Sequence, residues 1–461
     1  MSKTLDPLTS APLPLFFRYA WPSILGLLAI STASIIDGMF VGHWVGADAL
    51  AAINLISPFI SIIYSIGLMI CIGTSLSAGK RLGEKDPQGA SQIFTQSFIL
   101  LVFISSMVVL TITLNLNNFL SLMTVPNGLF PFIYDYFHIL LPFILIQILS
   151  LFLYFFVKVD KQPSLAAAAL IIGALTNIIL DAIFIVPLGL GIKGAAWATG
   201  LSQCIQLIFL LRYFFIPERQ LFFVVPTKKI HELAKSCFNG VSELINGITD
   251  SIMVIIINWM LIKQAGAIGV AAFSALNYVL MIAMVITFGL SDAMQVLITQ
   301  NFGAKQSERI YQLRHLGFIT AFVIGVISML SILFFPETIV GLFIGTQHSQ
   351  AIKLAQEMSA FIWPLFITSG INAIAIGYFT AIHKPKHSSI LAILRTFILP
   401  SGLLIITFWI FQDLSALIAL PLADGIAMLL GLSLMIKMTP ERVILSQITQ
   451  ESGLKETRHL V

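Results

Sequence analysis

Apolar residues in this chain come in blocks of about twenty or more, separated by short polar stretches that carry most of the charge. A helix rises 1.5 Å per residue, so about twenty apolar residues cross the ~30 Å hydrocarbon layer of a bilayer. Membrane strands would instead show alternation in segments of about ten residues. The pattern therefore predicts an all-α integral membrane protein with twelve spans. These are residues 15–41, 50–78, 94–114, 130–157, 164–186, 194–215, 233–261, 270–299, 316–335, 354–382, 388–411 and 414–438. The stretch before the first span, interrupted by Pro7, Pro12 and Pro14, reads as a short arm rather than a cleavable signal, because the apolar run behind it is too long.

The longest polar connection, with Pro217, Pro226, Lys228 and Lys229, divides the spans six and six. The expected organisation is an N-terminal lobe over 1–215, a cytoplasmic linker over 216–232 and a C-terminal lobe over 233–461 with a short cytoplasmic tail. A repeat supports this division. Gly46-Ala47-Asp48-Ala49-Leu50-Ala51-Ala52 aligns with Gly266-Ala267-Ile268-Gly269-Val270-Ala271-Ala272 at an offset of 220, and Gly83 and Lys85 align with Gly303 and Lys305 at the same offset. Without a gap, residues 46–92 and 266–312 share nine identities in 47. Each half holds an even number of spans, so the repeats run in parallel about a pseudo-two-fold axis along the membrane normal. A substrate cleft is expected at such a repeat interface.

Charge sets the orientation. With the N-terminus inside, 22 of the 25 Lys and Arg residues fall on the inner side, leaving Lys193, Lys263 and Lys353 outside. That asymmetry predicts twelve spans with both termini cytoplasmic, in the plasma (inner) membrane. Composition agrees, with a mean hydropathy of +0.97 and 10% charged residues against about 25% in soluble domains. The net charge of +4 is spread over loops, so no nucleic-acid partner is implied. Cys71, Cys204 and Cys237 lie apart, without metal or CxxC spacing, and read as packing thiols.

Against this apolar background a few polar residues stand out. Asp37, Asn177, Asp181 and Thr199 sit within spans 1, 5 and 6, and an ionisable side chain there costs at least ~2.5–3.5 kcal/mol. Counting from the outer ends, Asp37, Asp181 and Thr199 lie at a common depth of roughly 8–9 Å. Asn177 is one turn deeper on the face of Asp181. The four form either a hydrogen-bonded packing cluster or a cation site. Two carboxylates in a low-dielectric layer repel, so one is protonated or both share a cation. Oxygen ligands of this kind suit a proton or Na⁺. In the C-terminal half Asp250, near mid-membrane, reads as a cleft residue or a hydrogen-bonded core acid, Glu243 and Asp292 read as cleft residues or an interhelical polar pair, and Asp424 is undecided. Arg395, near the inner end of span 11, reads as snorkelling to the headgroups. His138 in span 4 reads as a core histidine, and His43 and His348 fall in outer loops.

These residues and their surroundings resemble the multidrug and toxic compound extrusion (MATE) family. The resemblance rests on Pro22 with Asp37-Gly38-Met39-Phe40-Val41-Gly42, on Asn177-Ile178-Ile179-Leu180-Asp181, and on Gly194-Ala195-Ala196-Trp197-Ala198-Thr199. Gln300-Asn301-Phe302-Gly303-Ala304 after span 8 adds to it. It implies a secondary antiporter, not an enzyme, that exports lipophilic, often cationic, drugs or toxic organic compounds by alternating access as H⁺ or Na⁺ enters. It further implies that Asp37, Asn177, Asp181 and Thr199 bind the coupling cation, with no cofactor besides that ion; the expected partners are small organic substrates and membrane lipid, and a monomer is expected. In sodium-type members span 10 carries a further acid, where this chain has Ser369 and Asn372.

Three other readings compete. A major-facilitator carrier shares the six-plus-six plan, but the loop Gly79-Lys80-Arg81-Leu82-Gly83-Glu84-Lys85 lacks the aspartate of its usual pattern. A lipid-linked-sugar exporter tends to have more spans and a strongly cationic cleft. An intramembrane aspartyl protease could use Asp37 and Asp181, but no Gly-x-Gly-Asp motif accompanies either.

Overall fold

A computed structural model describes residues 5–122, 128–227, 230–335, 349–411 and 413–458, and Lys228, Lys229 and His348 lie outside them. Among the described residues every regular element is helical. Eleven helices among the described residues are long and apolar enough to cross a membrane, and a bent pair, counted as one span, brings the number to twelve. In chain order the elements are α1 (Pro12–Phe40), α2 (Ala47–Gly83), α3 (Pro87–Leu114), α4 (Leu116–Leu122), α5 (Phe130–Val159), α6 (Pro163–Ile185), α7 (Gly191–Leu210) and α8 (Ile230–Phe238). Then follow α9 (Val241–Gly266), α10 (Ala272–Gly303), α11 (Ser307–Phe334), α12 (Ser349–Ile362), α13 (Leu365–Ala381), α14 (Pro385–Ile393), α15 (Leu399–Phe411), α16 (Ala419–Lys437) and α17 (Pro440–Arg458). All twelve expected spans have a counterpart.

Two spans differ in form from the expectation. Span 7 begins at Val241 rather than 233, because α8 is a separate helix that ends before Asn239 and Gly240. Span 10 is broken into α12 and α13, bent by 52°. Pro364 stands at that break, where it has no amide to donate and its ring clashes with the preceding turn.

Contacts gather the chain into two compact units. The first comprises Trp21–Arg81 and Asp86–Gly240; the second comprises Met1–Ala20, Leu82–Lys85 and Val241–Val461. Helix α1 therefore begins in the second unit and continues in the first from Trp21, one residue before Pro22. Its N-terminal arm is held by Arg309 of α11, whose Nη2 donates to the carbonyls of Pro7 (3.0 Å) and Ser10 (2.7 Å). Asn301 Nδ2 donates to the same Pro7 carbonyl at 3.2 Å.

The repeat is written in the backbone. Lys85 (φ 59°) and Lys305 (φ 58°) both take the left-handed conformation two residues beyond a helix end, Gly83 and Gly303 respectively. Their hydrogen bonds match: Lys85 N to Leu82 O and Lys305 N to Phe302 O, each 3.1 Å. Asp86 N to Arg81 O and Gln306 N to Asn301 O follow, each 2.9 Å. These close the last turn and satisfy its free carbonyls. Lys161 (φ 64°) and His383 (φ 57°) form a second such pair. At the outer turns Gly46 (φ 120°) and Gly266 (φ 63°) are the repeat-related residues, and a side chain is strained at either angle.

Within the first unit the segment after Phe215 runs extended along α3. Phe222 N donates to Ser91 Oγ (3.1 Å), Val224 N to Thr95 Oγ1 (3.0 Å) and Gln92 Nε2 to Thr227 Oγ1 (2.7 Å). Phe223 packs beside Phe94, Phe98 and Phe214. The polar face of α3 thus supplies the partners that an extended backbone lacks without a neighbouring strand.

Candidate functional site

In the first unit α5, α6 and α7 pack on one another, and the π turn Val41–Val45 that follows α1 contacts α6 and α7. Small residues allow this closeness: Gly26 of α1 meets Leu170 and Ala167 of α6, Gly173 meets Gln206, and Gly200 meets Phe143. Just past Asp37 the helix widens into a π turn at Val41–Val45, a distortion often found at functional sites.

The Asp37 and Asp181 side chains meet in this setting. Asp181 is fully buried, and neither of its oxygens has a hydrogen-bond donor; Asp37 Oδ1 is likewise buried without one. Both ionised, the two groups have only acceptors to offer each other. Two like charges about 4 Å apart repel by ~4 kcal/mol at an effective dielectric of about 20. The pair needs a shared proton or a bound cation to persist at this contact. The hydroxyls of Tyr136 (α5) and Thr199 (α7) touch each other and lie within the field of both acids. Four helices thus contribute oxygen atoms to one spot. Asn177 is buried one turn inward on α6 (9% exposed), and no contact of it with the other three is among the described interactions.

Tyr136 was not among the residues singled out from the sequence, although a signal existed. Tyr136 lies six residues, about 9 Å, along α5 from Phe130, the same depth as Asp37 and Asp181 have from the corresponding ends of their spans. A hydroxyl on an aromatic ring is not exceptional inside a membrane, so depth alone does not mark Tyr136 as it marks a carboxylate.

The second unit gathers a different set. Glu243 contacts Asn246 and lies within the field of Asp250 and Asp292. Asp250 in turn lies within the field of Arg395. Arg395 itself corrects the expectation of snorkelling. It stands ten residues into its span, about 15 Å from the inner end, and Nε donates to Asp424 Oδ1 at 2.7 Å with the two side chains only 10% and 6% exposed. The arginine stays at depth because a buried carboxylate holds it there. Another π turn, Leu394–Ile398, carries it. Asn372 is also accounted for, donating to the Asp424 carbonyl at 2.8 Å and tying α13 to α16.

His138 is likewise corrected: it is exposed on α5 and stacks on Tyr134 at 5.7 Å, one turn away, rather than lying in the core. Cys71 and Cys237 are buried and Cys204 is half-buried. Among the described residues no group of three or more His, Cys, Asp or Glu is arranged to hold a metal ion.

One family model, MatE, matches the chain twice, over residues 22–183 and 244–403. The chain belongs to the MatE family. The double match repeats the two halves at an offset of 222, close to the 220 read from the sequence, and makes this MatE chain a multi-pass membrane transporter rather than a major-facilitator carrier. It is 25% identical over 438 residues to the FAD transporter of Shewanella oneidensis, covering 90% of this chain and 93% of that protein. It is also 25% identical over 348 residues to the probable multidrug resistance protein YoeA of Bacillus subtilis, covering 71% and 73%. Its fold is similar to the outward-facing structure of a multidrug resistance MATE transporter of the MOP superfamily, with a TM-score of 0.88 at 21% identity over 96% of this chain and 99% of that one.

Proposed function

We propose that this MatE protein is a secondary antiporter that exports lipophilic organic cations by alternating access as H⁺ or Na⁺ enters through Asp37 and Asp181. The observation that carries this reading is the meeting of those two carboxyls with buried, donor-free oxygens. A site that must hold a cation in order to hold its shape has two states, occupied and empty, and an antiporter requires such a pair of states. Tyr136 and Thr199 supply hydroxyl oxygens for a desolvated ion, and Asn177 an amide oxygen one turn away. The acids of the second unit, Glu243, Asp250 and Asp292, favour a positively charged substrate. The excess of Lys and Arg at inner helix ends supports an inner-membrane protein with both termini in the cytoplasm, and no step of the reading requires more than one copy of the chain.

The competing substrate class is an anionic dinucleotide, favoured by the likeness to the FAD transporter. Purified protein in sealed vesicles, with proton and sodium gradients imposed one at a time, distinguishes the two. Gradient-driven movement of a lipophilic cationic dye, lost in Asp37→Asn, is the expected result. Movement of FAD without dye movement selects the other substrate. Full gradient-driven transport by Asp37→Asn removes the coupling role, and cleavage of a membrane peptide without transport would point to the protease reading.

A further inference from the structure

The two units answer the same electrostatic problem in different ways. In the first, Asp37 and Asp181 meet, no basic side chain is in contact with them among the described residues, and Asp37 Oδ1 and both Asp181 oxygens are buried without a described donor. In the second, Glu243, Asp250 and Asp292 on α9 and α10 and Asp424 on α16 lie on membrane-spanning segments, and Arg395 lies beside two of them, Asp250 and Asp424. Arg395 Nε binds Asp424 Oδ1 at 2.7 Å, while Asp424 Oδ2 is buried without a donor. Among the described contacts the guanidinium is the one charged partner of this carboxylate. Neighbouring contacts fix the arrangement. Thr396, next to Arg395, shares a 2.6 Å hydrogen bond with Thr249, next to Asp250, and Asn372 pins the Asp424 backbone.

We propose that Arg395 is a tethered counter-cation, holding at Asp424 the place that an exchangeable ion takes at Asp37 and Asp181. A guanidinium stays charged at every physiological pH and cannot leave its chain. An acid neutralised by it neither binds nor releases H⁺ or Na⁺ during a transport cycle. Asp424 is thereby withdrawn from coupling; with Glu243, Asp250 and Asp292 given to the cationic substrate, coupling is confined to the first unit, and Arg395 sets how many cations move per substrate. The remaining acid beside Arg395, Asp250, is left to meet the cationic substrate rather than the coupling ion.

This inference rests on the coupling role of Asp37 and Asp181, and its test separates the two. The full-length chain is placed in sealed vesicles with tetraphenylphosphonium as the transported probe and H⁺ or Na⁺ as the imposed gradient. Cation flux and probe flux are measured together. With Arg395 intact, Asp37→Asn is expected to abolish all probe-linked cation flux. A partial loss, with the remainder still linked to the probe, overturns the confinement proposed here while leaving the role of Asp37 standing; no loss at all overturns both. Arg395→Met is expected to raise the number of cations moved per probe molecule, since Asp424 then recruits an ion. Arg395→Lys is expected to keep the original ratio. An Arg395→Met protein that transports at an unchanged ratio overturns the proposal. Should that variant fail to fold, the Asp37→Asn measurement, which leaves Arg395 and Asp424 untouched, decides the matter.

Discussion

At the scale of single residues, burial rather than residue type separates the acids of this chain. Asp37 and Asp181 are conspicuous in the sequence because each interrupts an apolar run, and depth counting alone placed them at one level. Asp160 is not conspicuous, yet it is 3% exposed and accepts hydrogen bonds at Oδ2 from Tyr213 Oη (2.5 Å) and Gln220 N (2.7 Å). It lies beyond the end of α5, and burial pushes its carboxyl above the usual carboxylate range even though both donors oppose that shift. The folded chain thus holds this proton more tightly than the unfolded chain does. Its contribution to stability is greatest below the ordinary carboxylate pKa of about 3.9 and declines as pH rises through the window up to the raised value. Asp160→Asn retains an acceptor for both donors and is expected to flatten that part of the pH profile in thermal unfolding. Asp160→Ala leaves both donors unpaired and is expected to cost ~1–3 kcal/mol. Equal melting behaviour of the two variants would count against this account.

At the scale of elements, span boundaries follow from apolar length, whereas breaks and close approaches do not. Pro364 is visible in the sequence, but a proline inside a membrane helix can be accommodated by a mild kink, so the 52° bend between α12 and α13 depended on what packs beside it. Gly73 is one of 31 glycines and carries no mark of its own. In the fold, a Cβ at Gly73 would overlap the Ser236 carbonyl and lie 2.7 Å from Gly240 N, and one at Gly240 would overlap the Met69 carbonyl. This mutual contact sets α2 against the end of α8. Gly73→Ala is expected to destabilise the protein by ~1–3 kcal/mol, as overpacking does. Gly402 has nothing within 4 Å of such an atom, and Gly402→Ala is expected to be neutral or slightly stabilising. Melting temperatures of the two variants in detergent check the contrast; equal shifts would contradict it.

At the scale of the molecule, the repeat governs both halves, and the left-handed residues Lys85, Lys305, Lys161 and His383 show it in backbone form. Charge asymmetry governs orientation, although Arg395 belongs to the membrane interior and not to an inner loop. The distribution of the remaining Lys and Arg residues predicts that tags at both termini react with impermeant reagents only after cells are opened. Labelling of either tag in intact cells would reverse the orientation.

The sequence by itself determined the number of spans, the repeat and the polar residues that sit where lipid-soluble helix is expected. The spans and the misplaced polar residues depend on transfer free energy summed along the chain and the repeat on residue identities at a fixed offset, all local quantities that can be read without coordinates. Which polar groups meet was decided by tertiary structure. The approach of Tyr136 to Thr199, and of Arg395 to Asp424, depends on helix rotation and on π turns that shift a side chain's bearing by a fraction of a turn. Residues far apart in the chain set those rotations by packing against one another, and hydropathy carries no record of them.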